Sequence, residues 1–269
     1  NQNNYEVERT LTLNVNVPSF DFTGAFNDNQ LFVDVPSVIN YNITYDKAIA
    51  QTFQIKYEVV EGTVKVENMV EGQYINTKDG ASTISFKPLS AGSLKIKLTV
   101  LSSFGVTKEV LLERNVQTPD FTFNANLEYS NVNIGDPSKI FYNIIHSGIV
   151  DQQFQVKYEV IEGSAKIQGL NIGEWTPLTK LDDNFIFTSD KSGKLQIKLT
   201  VKNQYNIEKI QTLNVEVNVP SFEFVATSSI TSANVNNPFD VIYSVTPADK
   251  TTQSFKVKYE LVKGDASIE

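Results

Sequence analysis

The sequence predicts an all-β protein made of tandem Greek-key β-sandwiches joined head to tail. Three observations carry that reading. Landmarks return at a fixed interval: Val-Pro-Ser-Phe-Asp-Phe at 17–22 reappears as Thr-Pro-Asp-Phe-Thr-Phe at 118–123 and as Val-Pro-Ser-Phe-Glu-Phe at 219–224. Pro18, Pro119 and Pro220 thus stand 101 residues apart, as do Phe53, Phe154 and Phe255, and Gly62, Gly163 and Gly264. Apolar and polar residues alternate with period two, the signature of a strand with one buried face, and no useful window carries the 3.6-residue period of a helix.

The elements follow in order. Strands are expected near 18–24, 30–34, 37–45, 51–60, 63–67, 82–87, 93–101 and 106–117. Breaks fall at Pro36, Gly62, Gly72, Gly92 and the Ser102–Gly105 turn. In the fourth strand Phe53, Ile55, Tyr57 and Val59 alternate with Gln54, Lys56 and Glu58. Leu94, Ile96, Leu98 and Val100 alternate with Lys95, Lys97 and Thr99, and return as Leu195, Ile197, Leu199 and Val201. Short strands at regular spacing within about 100 residues indicate an immunoglobulin-like sandwich. The Cys pair of antibody domains is absent, since the chain has no Cys.

The interval sets the domain organisation. Residues 1–17 read as the last strand of a preceding repeat, because Asn1-Gln2 aligns with Asn203-Gln204. Residues 18–118 and 119–219 are two full immunoglobulin-like repeats, and 220–269 the first half of a further one. The chain is therefore expected to be a segment of a longer array. Pro at each junction fixes φ and ends strand pairing there. The junctions lack the Gly and Ser of a flexible linker, so a semi-rigid stalk is expected.

Composition excludes several functions. A net charge of −8 over 269 residues opposes nucleic acid and anionic lipid. No apolar run reaches the length of a membrane span. His146 is the single His, so no His cluster exists to hold a metal. It aligns with Tyr45 at a strand end and reads as incidental. Asp182-Asp183-Asn184 align with Ala81-Ser82-Thr83, so a repeated calcium site is not expected. No phosphate loop, nucleophile elbow or catalytic carboxylate pair can be named. No catalytic, cofactor-binding or metal residue is assigned.

Residues shared by Gln51–Glu67, Gln152–Gln168 and Gln253–Glu269 read as structure. Phe53, Tyr57 and their counterparts face a core, and Gly62 suits a positive-φ turn. Lys56 and Glu58 form a charge pair on the wet face. A Lys–Asn isopeptide crosslink needs a buried Lys, and Lys56 looks outward. Trp175 aligns with Tyr74. An aromatic at both positions reads as packing over a sheet edge, with a carbohydrate or partner platform as the alternative.

Tyr57-Glu-Val-Val-Glu-Gly62, Phe86-x-Pro-Leu-x-Ala-Gly92 and Ile96-Lys-Leu-Thr-Val100 with Ser103-Phe104-Gly105 together resemble the small immunoglobulin-like domains of Bacteroidota surface proteins. The pattern is similar to the TraQ-type conjugative-transposon family. There the final hairpin turns on Asn-Phe-Gly, for which this chain offers Ser103-Phe104-Gly105 once and Asn203-Gln204-Tyr205-Asn206 once. The resemblance implies the fold and a surface setting, and carries over no functional residues.

The function expected is a non-catalytic, extracellular or cell-surface stalk or adhesin. Its partners are neighbouring repeats, and a host surface, glycan or other protein at a distal tip. The alternatives are a phage or conjugation-machinery component located in a virion or transfer apparatus, and an accessory glycan-binding array. The latter would use Trp175.

Overall fold

The computed structural model describes residues 2, 6–248 and 253–267. It is all β, with no helix among the described residues. Two compact units emerge, one carrying the first nine strands and the other the rest.

The first sandwich contains β1 (Phe20–Phe26), β2 (Leu31–Phe32), β3 (Ser37–Tyr45), β4 (Phe53–Glu61), β5 (Val64–Val66), β6 (Ile75–Thr77), β7 (Gly80–Pro88), β8 (Gly92–Ser102) and β9 (Thr107–Gln117). One sheet runs β1-β3-β7-β5 and the other β2-β9-β8-β4-β6. All pairs are antiparallel except β2 with β9, which is parallel through Leu31–Val116 and Phe32–Gln117. The chain thus crosses between sheets after β1, as in immunoglobulin-like sandwiches. All eight expected strands form. The strand that the pattern missed is β6, a three-residue edge paired only to Phe53–Ile55. It is too short and too exposed to show an alternation.

The second sandwich contains β10 (Phe121–Leu127), β11 (Asn131–Asn133), β12 (Ser138–His146), β13 (Phe154–Glu162), β14 (Lys166–Ile167), β15 (Thr176–Leu178), β16 (Asp182–Thr188), β17 (Gly193–Asn203) and β18 (Glu208–Asn218). Its sheets run β10-β12-β16-β14 and β11-β18-β17-β13-β15, the same order strand for strand. Six of its strands, β10, β12, β13, β15, β17 and β18, have the bounds of their counterparts moved by 101 residues. Even an irregularity is shared. The β4–β8 ladder slips between Val59 and Glu61, and the β13–β17 ladder between Val160 and Glu162.

Each core is the inner set of the alternation. Leu94, Ile96, Leu98 and Val100 are buried, as are Leu195, Ile197, Leu199 and Val201. Aromatic rings join the two sheets. Phe20 meets Phe53 edge-on at 5.1 Å, and Phe121 meets Phe154 at 4.9 Å. Such contacts add about 0.5–1.5 kcal/mol beyond the area they bury.

The recurring glycine after β4 and β13 is required twice over. Gly62 and Gly163 have φ of 86° and 81°. A Cβ at Gly62 would lie 2.9 Å from the Ser93 carbonyl oxygen, and one at Gly163 2.6 Å from that of Lys194. Only glycine accepts both the turn and the close approach.

The remaining segments differ. Described residues 6–19 form no strand, so the last strand expected at 1–17 is not formed there. Among the described residues no strand pairs with them. In 220–269, β19 (Phe222–Ser228) and β20 (Val241–Pro247) make a two-stranded sheet, while 253–267 carry no strand. The ring contact persists, with Phe222 5.0 Å from Phe255. Burial does not: Tyr243 is 56% exposed where Tyr41 is 6%, and Val241 57% where Ile39 is 1%. The opposing sheet that covers Ile39 and Tyr41 has no counterpart here.

Candidate functional site

The polar residues of interest sit on the outer face of each five-stranded sheet. In the first sandwich that face is a ladder of ion pairs. Glu58 meets Lys56 at 3.3 Å and Lys97 at 2.8 Å, and Lys97 also meets Glu109 at 3.6 Å. Lys95 joins Glu61 at 3.1 Å and Glu113 at 3.4 Å. The Thr99 hydroxyl donates to the Glu109 carboxylate at 3.1 Å. The Glu58 carboxyl is held below its ordinary value by hydrogen bonds from Lys97 first and Lys56 second. Lys97 is correspondingly raised, chiefly by Glu58, and Lys95 chiefly by Glu61. Lys56 therefore stands as alternation predicts: on the outer face, ion-paired, with its ammonium 5.5 Å from the Tyr74 ring.

In the second sandwich, among the described residues, one of these ladder pairs survives, Lys198 to Glu159 at 2.8 Å. Trp175, just before β15, lies half-buried on this face. Its indole centroid is 4.3 Å from the Lys202 ammonium and 5.1 Å from that of Lys157. Trp175 thus packs over β13 and β17 with two cations against its ring. Sequence reasoning singled out Trp175 but not its lysines. The signal was present in the 101-residue offset, where Lys202 replaces Leu101 and Ile210 replaces Glu109.

The other candidates separate. His146 is the register partner of Phe121 and lies 5.9 Å from the Phe154 ring, in the place Tyr45 holds at 5.4 Å from Phe53. Asp183 is bound to Lys180 at 2.8 Å, which first of all holds its carboxyl below the ordinary value. Asp182 accepts from the Asn143 amide at 3.4 Å. Tyr142 stacks on Phe185 at 4.7 Å, and burial, with Asp183 and Asp182 nearby, raises its hydroxyl. No group of three or more His, Asp or Glu among the described residues is arranged to hold a metal.

One recurring residue has a role that sequence reasoning did not see. The Gln51 amide donates to the Ser19 carbonyl at 3.3 Å, and the Gln253 amide to that of Ser221 at 3.5 Å. Each pins the residue that follows a junction proline to the chain entering the fourth strand position. Across the second turn, Asn203 does more than its counterpart Ser102. Its side-chain oxygen accepts from the Tyr205 and Ile207 amides at 3.0 Å each, and its amide donates to Gln152 at 2.8 Å.

No family model matches the chain, and no curated protein matches it. Among solved structures it is similar to a lipoprotein from Bacteroides thetaiotaomicron, at 13% identity over 37% of this chain and 82% of that one, with a TM-score of 0.33. It is similar to a conjugative transposon lipoprotein from Bacteroides eggerthii at 13% identity, over 34% of this chain and 94% of that one, with a TM-score of 0.30. It is also similar to the Yersinia pseudotuberculosis adhesin InvE, at 15% identity over 74% of this chain and 59% of that one, with a TM-score of 0.34.

Proposed function

We propose that this chain is a non-catalytic structural or adhesive array of immunoglobulin-like repeats, displayed outside the cell. One observation carries the reading. Most positions identical at each 101-residue step serve the core or the turns, while most exposed residues of the two sandwiches diverge. A repeated reaction or ligand would conserve an exposed site; a repeated spacer conserves only its fold. The junctions support the same reading. Three residues, Thr118-Pro119-Asp120, separate β9 from β10, and three, Val219-Pro220-Ser221, separate β18 from β19. Proline stands at the centre of each link and fixes its φ there.

The test is surface exposure. Intact producing cells are treated with an antibody to residues 18–219 and with a non-penetrating protease. Labelling of whole cells and loss of the antigen on protease treatment are expected. Antigen found only after lysis, or only in virions, overturns the reading and favours an internal or phage component.

A further inference from the structure

We propose that the outer face of the second sandwich around Trp175 binds an acidic sugar. The indole takes the apolar face of the sugar ring, and Lys157 and Lys202 take its carboxylate.

The argument rests on one row of residues that crosses the sheet. In the first sandwich the row beside Tyr74 reads Lys56, Thr99, Glu109 along the ladder. In the second the row beside Trp175 reads Lys157, Thr200, Ile210. The first row is electrically closed, because Glu58 pairs with its Lys56, and its Glu109 pairs with the neighbouring Lys97. The second is open. Against the first sandwich, Ile210, 52% exposed, replaces Glu109, Lys202 replaces Leu101, and Glu208, the register partner of Lys202, replaces Thr107.

Among the described residues Lys157 and Lys202 have no ion-pair partner. Lys202 faces Glu208 across the ladder, yet its ammonium sits against the indole instead. Glu159 is held by Lys198, and Lys157 acts on it only as a weaker, more distant charge. A cation against an exposed aromatic face contributes about 0.5–1 kcal/mol, which orients the two ammonium groups but does not cancel their mutual repulsion. A ligand carboxylate between them does. Gln155, opposite Lys202 on the same face, offers an amide for a hydroxyl. A single carboxylate suits the site better than a polyanion, which the net charge of −8 repels.

This site stands independently of the spacer reading. Its test uses the fact that Trp175 is the only tryptophan, so indole emission reports the site alone. The whole chain is titrated at low ionic strength with a glucuronate-terminated disaccharide, its glucose-terminated counterpart and sodium acetate. A saturable emission change is expected with the first alone. Lys157→Ala and Lys202→Ala should each weaken it about five- to tenfold, and added salt should weaken it further. The double variant Lys202→Leu with Ile210→Glu restores the residues of the first sandwich at these two positions and should abolish binding. No saturable change with the acidic disaccharide overturns the proposal. So does an equal response to the neutral disaccharide or to acetate, or binding that survives in the double variant.

Discussion

The two sandwiches have the same strand order, the same slipped ladder and, Gly80 and Gly148 apart, the same left-handed positions, yet they complete their polar interactions by different means. Where the first turns at Gly105, with φ of 79°, the second turns at Asn206, with φ of 61°. The set Asp34, Gly135 and Asn236 shares a left-handed backbone across all three segments. Asn and Asp tolerate that region better than other side chains. The backbone geometry is thus the constant, and the residue that supplies it is exchangeable. Polar partners show the same exchange with a loss. The Ser37 hydroxyl donates to Asp28 at 2.5 Å. Its counterpart Ser138 is 2% exposed and its hydroxyl has no hydrogen-bond partner, because Tyr129 stands where Asp28 would be. The reverse holds for Gln51, whose buried carbonyl oxygen lacks the partner that Asn203 gives Gln152.

The equivalence of the two cores is the part easiest to break. Phe86 and Phe187 are both fully buried. Phe86→Ala and Phe187→Ala should each cost about 3–5 kcal/mol. Urea unfolding followed by circular dichroism measures the first, and Trp175 emission the second. A difference beyond about 1 kcal/mol would show that the shared topology hides unequal packing.

Next come the glycines. Gly62→Ala and Gly163→Ala should each cost about 2–3 kcal/mol from the left-handed backbone and the close carbonyl. Gly163→Ala should be the worse, since its approach is 0.3 Å tighter (2.6 against 2.9 Å). Urea midpoints of the two variants decide the order. The serines should then separate the sandwiches. Ser37→Ala is expected to lose about 1–2 kcal/mol, and Ser138→Ala to be neutral or slightly stabilising, because only the former removes a made hydrogen bond. Equal losses in thermal unfolding would refute the difference.

The smallest effect is electrostatic. Glu58 and Glu61 have carboxyls held below their ordinary values, Glu61 chiefly by Lys95. Such groups stabilise the fold above the ordinary carboxylate range, and the contribution is lost as pH falls through the lowered values. Lys95 and Lys97 are raised, so their contribution is full below the ordinary lysine range and fades as pH rises through the raised values. Glu159 is lowered too, chiefly by Lys198, but stands in a single pair. Glu58→Gln should therefore flatten the acid limb of stability more than Glu159→Gln. Urea midpoints across acidic pH compare them, and identical slopes would show that the ladder adds nothing to a lone pair.

Most of the fold was legible because its signals are strictly local. Alternation at 53–59 and 94–100 needs no knowledge of partners, and a fixed interval of 101 residues multiplies each signal. The edge strand β6 was not legible, since three residues paired on one side carry neither alternation nor burial. Trp175 was legible as packing over a sheet edge or as a carbohydrate or partner platform, but the lysines against it were not legible. Its meaning depends on Lys157 and Lys202 reaching it from two other strands, and the register that brings them there is a tertiary fact. The Gln51 pin was visible as a recurring residue and opaque in role, because its partner is a main-chain carbonyl 32 residues away.

The parallel pairing of β2 with β9, and of β11 with β18, has a mechanical consequence. These are strands near the entry and exit of each sandwich, lying side by side and pointing the same way. A pull on the chain at either end slides one along the other, so their hydrogen bonds resist together in shear. An antiparallel pair at the same place would peel open like a zipper, one bond at a time.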